Sequence, residues 1–152
     1  MTIKMPTISP PKGELFAAYA RFEFALKEAG FLAGKEGERA SPDWRRFSVD
    51  KSLTDLVDEL SGDADVAALI AEPPRQQIID GEGLAWVEQI PAPVSSSKDL
   101  LLSVKAIRDN LFHGGKSGEN PRDEALCRGA IKVLIACLDR HPDVKARFNG
   151  EY

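Results

Sequence analysis

Apolar residues recur at three- and four-residue steps along most of the chain, the period of helices that bury one face. From Gly13 to Gly30 the inner positions are Leu15, Phe16, Tyr19, Phe22, Leu26 and Ala29. Glycines at 30, 34 and 37 then break the helix into a loop. Ser41-Pro42 reads as a cap followed by proline at the first helical position. It opens a helix whose inner face is Trp44, Phe47, Leu53, Leu56, Val57 and Leu60, with an interruption near Asp50. Ser61-Gly62-Asp63 ends that helix, and Asp63 or Asp65 caps a short one through Ala71. Pro73-Pro74 opens a further short helical piece toward Ile79.

From Gly81 to Ser97 glycine, proline and serine surround Trp86 and Val87, the composition of an ordered loop, and Trp86 is expected to plug the core. Ser96 or Ser97 caps a long helix whose inner face is Leu100, Leu101, Val104, Ile107, Leu111 and Phe112. Asn120-Pro121 starts the last helix, which runs through Leu126, Ile131, Leu134, Ile135 and Leu138 and stops before His141-Pro142. Residues 1–12, with Pro6, Pro10 and Pro11, are expected to be extended, and residues 13–152 to form one helical domain. No strand alternation competes and no repeat is present. The expected fold is all-α, an antiparallel bundle of four to five main helices.

At 152 residues the chain is long enough to bury most of its apolar surface without staples. No stretch approaches the roughly 18 apolar residues of a membrane span, and no basic-then-apolar leader opens it, so a cytoplasmic protein without membrane contact is expected. Cys127 and Cys137 stand on one helix, about 15 Å apart along its axis, too far to bridge each other. They read as small packing residues, and no Cys/His cluster has zinc spacing, so neither a metal nor a cofactor is expected.

Charge sharpens the picture. The net charge of −4 argues against a chain built to coat nucleic acid. Residues 50–88 hold ten acids against Lys51 and Arg75, and the balance elsewhere is positive. An RNA contact would more naturally use Lys105, Arg108, Lys116, Arg122 and Arg128.

One constellation looks chemical: Arg108-Asp109-Asn110-Leu111-Phe112-His113-Gly114-Gly115-Lys116 at the end of the long helix. Arginine presents a forked, permanently charged donor set to phosphate, and histidine moves a proton near neutrality. A five-residue step turns a straight helix by roughly 140° and advances it by about 7.5 Å, so the two side chains do not share a face. They converge if the helix frays at His113, where Gly114 and Gly115 favour a left-handed cap, if the arginine swings round, or if a second chain supplies the other half. The bland alternative is that both residues answer the helix macrodipole, worth ~0.3–1 kcal/mol. His141, between Arg140 and Pro142, reads as a helix-end cap.

The string VKAIRDNLFHGGK resembles the Arg-x4-6-His signature of HEPN domains, in which a polar residue follows the arginine and an apolar pair precedes the histidine at a helix end. YARFEFALKEAGF is similar to the opening helix of small stand-alone HEPN proteins. The resemblance implies an HEPN-like helical bundle and metal-independent RNA cleavage by attack of the ribose 2′-hydroxyl. It implies catalytic roles for Arg108, His113 and Asp109, RNA contacts from Asn110, Lys116 and Lys105, and a homodimer whose two copies share one site. It further implies a toxin or defence effector restrained by an antitoxin or regulatory protein. Glu23 of the first helix joins the site only if that helix packs against the motif. The alternative is a catalytically silent helical module that dimerises or binds a partner.

Overall fold

In the computed structural model, which describes residues 2–3, 7–113 and 120–151 with the His113 side chain excepted, one long helix organises the others. This helix, α6 (Pro121–Arg140), buries eight residues including Cys127, Gly129, Val133 and Cys137. Against it pack α1 (Pro10–Glu28), α4 (Ala64–Ala71), α5 (Ser97–His113) and α7 (Pro142–Asn149). Short helices α2 (Trp44–Ser48) and α3 (Leu56–Leu60) join α4 to the first hairpin. The described residues are mostly helical, with two small two-stranded sheets, so the fold is helix-rich and not purely all-α.

Capping chemistry accounts for most helix starts. The Asn120 side chain accepts from the amides of Arg122 and Asp123, and Pro121 follows where no amide donor is needed. Asp63 accepts from Asp65 and Val66 at the start of α4. The Ser96 hydroxyl accepts from the Asp99 amide at 3.1 Å, and the Ser97 hydroxyl donates to the Leu53 carbonyl at 2.6 Å, fixing the entry of α5. His141 caps α7 by accepting at Nδ1 from the Val144 amide, 3.3 Å away, while its ring packs on Phe31 and Phe47.

Several expectations are corrected. The first helix begins at Pro10, inside the segment expected to be extended, because prolines at the first two helical positions lack only amides that would be orphaned anyway. Ser41 and Pro42 form strand β2, paired with β1 (Leu32–Ala33), and Asp43 caps α2 by accepting from Arg46 at 2.9 Å. The glycine-rich loop is thus a hairpin, with Gly34 and Gly37 at positive φ. The interruption near Asp50 is larger than expected: a 3-10 turn over Lys51–Leu53 separates α2 from α3.

After Pro73-Pro74 the chain is extended, not helical. Strand β3 (Gln77–Asp80) pairs antiparallel with β4 (Gly83–Trp86) around Gly81, whose φ of 63° suits the tight turn. Alternation fails to announce these strands because Ile78 and Ile79 stand on opposite faces and both are exposed. Trp86 is 36% exposed and does not plug the core. Phe16, Phe112 and Ile135, expected inside, are exposed as well. Helix α7 follows the expected last helix; Pro142 reads as a stop signal in sequence and serves instead as its first residue.

The α4–α6 contact is unusually close. A Cβ on Gly129 would lie 2.9 Å from the Asp65 carbonyl oxygen and 3.2 Å from its carbon, inside contact distance with backbone that has no rotamer to yield. Gly129→Ala is therefore expected to destabilise the chain by about 1–3 kcal/mol, although alanine raises helix propensity by about 1 kcal/mol over glycine. Urea unfolding checks this; an unchanged or raised midpoint contradicts the close approach.

Candidate functional site

Helix α5 places its motif residues on two different faces. Arg108 and Phe112, one turn apart, look toward α1, whereas Ile107, Asn110 and Leu111 look into a cavity on the other side. The Arg108 guanidinium lies 5.3 Å from the Tyr19 ring centre and 5.1 Å from that of Phe112, so two aromatic side chains hold it. Phe112 in turn stacks on Phe16, with centres 5.8 Å apart and planes 10° off parallel.

Asp109 binds two cations. Its carboxylate accepts from Lys105 Nζ at 2.8 Å and from Arg108 at 3.0 Å. Partial burial pushes the Asp109 carboxyl up, but the hydrogen bonds and charges of Lys105 and Arg108 outweigh it and leave the group below the ordinary carboxylate range. Asp109 is thus an anion that orients Arg108, poorly suited to donate or accept a proton near neutrality. Arg108 keeps a side-chain exposure of 30%, so the side chain is only partly covered.

Tyr19 is the site residue that sequence reading placed only in the core. Burial raises its hydroxyl pKa far above the ordinary range, the charges of Glu23 and Asp109 add to this, and Arg108 opposes it. Tyr19 is therefore a neutral shelf for the guanidinium. Its place on the buried stripe of α1 was readable; its partner on α5 was not. Glu23 does lie near, since its charge acts on Tyr19, but its carboxylate accepts from Trp44 Nε1 at 2.8 Å.

The remaining expected residues disperse or fall outside the description. Asn110 turns away from Arg108 and donates from Nδ2 to the Arg75 carbonyl at 3.0 Å. The His113 backbone closes α5, but its side chain, Gly114, Gly115 and Lys116 lie outside the described residues. Arg122 and Arg128, offered as RNA-contacting cations, are engaged within the chain: Arg122 donates to the Glu72 carbonyl at 2.9 Å, and Arg128 pairs with Asp65 at 3.4 Å. Among the described residues no group of three or more His, Cys, Asp or Glu is arranged to hold a metal ion. No described helix is long and apolar enough to cross a membrane.

Compared with family models, curated proteins and solved structures, the chain finds no match.

Both cysteines are free and buried. Burial pushes the Cys127 thiol up to about 11 and the Cys137 thiol up to about 12, so neither supplies a thiolate nucleophile at neutral pH. An aromatic disulfide reagent at pH 8 is expected to leave both thiols intact in the native chain and to titrate two after denaturation. Rapid release of one equivalent from native protein would contradict this burial.

Proposed function

We propose that the chain is an HEPN-type endoribonuclease that works as a homodimer, with Arg108 and His113 of each copy around one RNA phosphate. The observation that carries this reading is the clamped guanidinium of Arg108, held by Tyr19 and Phe112 and oriented by Asp109, on the same helix as the backbone of His113 and five residues before it. A charge fixed in advance and partly open to solvent stabilises a phosphorane-like transition state better than one that must be ordered during the reaction.

In the proposed reaction the ribose 2′-hydroxyl attacks the adjacent phosphorus, its proton leaves to one imidazole, and a second imidazole protonates the departing 5′-oxygen. The products are a cyclic phosphate and a free 5′-hydroxyl. One histidine does not serve as base and acid in the same step, which is the physical reason for two chains at one site. Lys105 and Lys116 are the cations left to follow the RNA backbone, with Lys105 already shared with Asp109. An antitoxin or other regulatory protein restraining such an enzyme belongs to the same proposal.

The exposed Phe16–Phe112 stack favours a second reading. At 53% and 55% exposure these rings form an apolar patch beside Arg108 that suits a helical dimerisation or protein-binding module without catalysis. The ribonuclease reading, and the dimerising form of the second, place a second copy on this face. Phe16→Asp is expected to convert a dimer to monomer in sedimentation velocity with helix content unchanged; a dimer that survives it is built elsewhere.

Cleavage of labelled RNA in excess EDTA separates the readings. His113→Ala and Arg108→Ala, each checked for fold and dimer state, are expected to lower the rate by about 100-fold or more. Cleavage that survives both substitutions removes the assigned site, and silence of the unaltered dimer toward all RNA favours the binding module.

A further inference from the structure

A cavity of about 500 Å³ opens on the opposite side of α5 from Arg108, between the start of α6, the Pro73–Arg75 segment and the β3–β4 hairpin. Its volume falls in the range of about 300–1,000 Å³ typical of small-molecule sites. The floor is apolar: Ile107, Leu126 and Cys127 are all buried. One wall is the half-open indole of Trp86, which gives a planar apolar ring a surface to stack on.

Charge at the mouth is unevenly compensated. Arg122 is held by the Glu72 carbonyl at 2.9 Å and the Glu72 carboxylate at 3.5 Å. Asp123 is likewise engaged. The Arg75 side chain makes no hydrogen bond or ion pair among the described residues, although its backbone carbonyl is pinned by Asn110. The mouth therefore offers one uncommitted guanidinium beside an aromatic wall and an apolar floor.

We propose that this cavity binds a small aromatic monoanion, with its ring between Trp86 and the Ile107–Leu126 floor and its anionic group on Arg75. Arginine suits that role because its planar fork pairs with a carboxylate through two donors. The proposal is independent of RNA cleavage, since no residue of the Arg108 clamp lines the cavity. An occupant would nonetheless rest on the same helix that carries Arg108.

Titration of the full chain with 1-naphthoate, followed by two-dimensional proton–nitrogen NMR, tests it. The Trp86 indole and Asn110 side-chain amide signals are expected to move saturably, while the Trp44 indole signal, tied to Glu23, stays in place. Arg75→Glu, at an exposed position where the rest of the spectrum reports an intact fold, is expected to raise Kd about tenfold. Neutral 1-naphthamide is expected to bind more weakly and to be indifferent to Arg75→Glu. Fixed Trp86 and Asn110 signals at millimolar naphthoate, equal affinity for the amide, or no effect of Arg75→Glu would each overturn the proposal.

Discussion

The absence of a side chain at Gly129 lets α6 settle directly on the backbone of α4, and the ion pairs between the two helices form across that contact. With the two helices this close, Lys132 reaches both Asp63 and Asp65 at 2.9 Å and Arg128 reaches Asp65. Farther along α6, Arg140 meets Glu59 and the Thr54 carbonyl, and at its start Arg122 meets Glu72. A stripe of cations on one helix thus answers much of the acidic middle of the chain. Exposed ion pairs of this kind contribute little stability each, because water screens them. Together they line the side of α6 that the segment 52–72 covers.

That arrangement changes the meaning of the charge distribution. Arg122 and Arg128 look, in the linear chain, like cations available to nucleic acid; in the folded chain their charges are largely spent on acids from α4 and its flanks. Among the described residues, the positive character near the motif comes from Lys105 and Arg108, and Asp109 shares both. A functional site on α5 therefore depends on one well-held guanidinium more than on a broad basic field.

The guanidinium is well held because of an aromatic cluster one layer below it. Tyr19 stacks on Trp44 at 5.1 Å, Phe22 stacks on Trp44 at 5.3 Å, and Phe47 meets both Phe22 and Phe31 edge-on. These contacts lock α1 against α2 and fix the tilt of the Tyr19 ring, the shelf on which Arg108 lies. On its other side α5 borders the cavity, with Asn110 joined to Arg75. A single helix thereby carries a cation clamp on one face and a cavity wall on the other.

Local chemistry made much of this legible in the sequence. Asn120-Pro121, Asp63 and Ser96 announce helix starts because capping needs only a side chain two or three residues from its target amide, and the period of Leu100, Val104 and Ile107 follows from 3.6 residues per turn. Arg108 stood out through residue type and neighbours, and Cys127 and Cys137 through spacing. The two hairpins escaped because strands of two and four residues with apolar side chains on both faces leave no alternation to read. The exposure of Phe16 and Phe112, the turning away of Asn110, and the pairing of Arg122 and Arg128 with distant acids were likewise invisible. Each depends on residues 35 to more than 90 positions apart in sequence meeting in space. Periodicity and capping are properties of neighbouring residues, and the chain alone determines them; the partner of a side chain is decided only when α6 closes on α4 and α1 closes on α5.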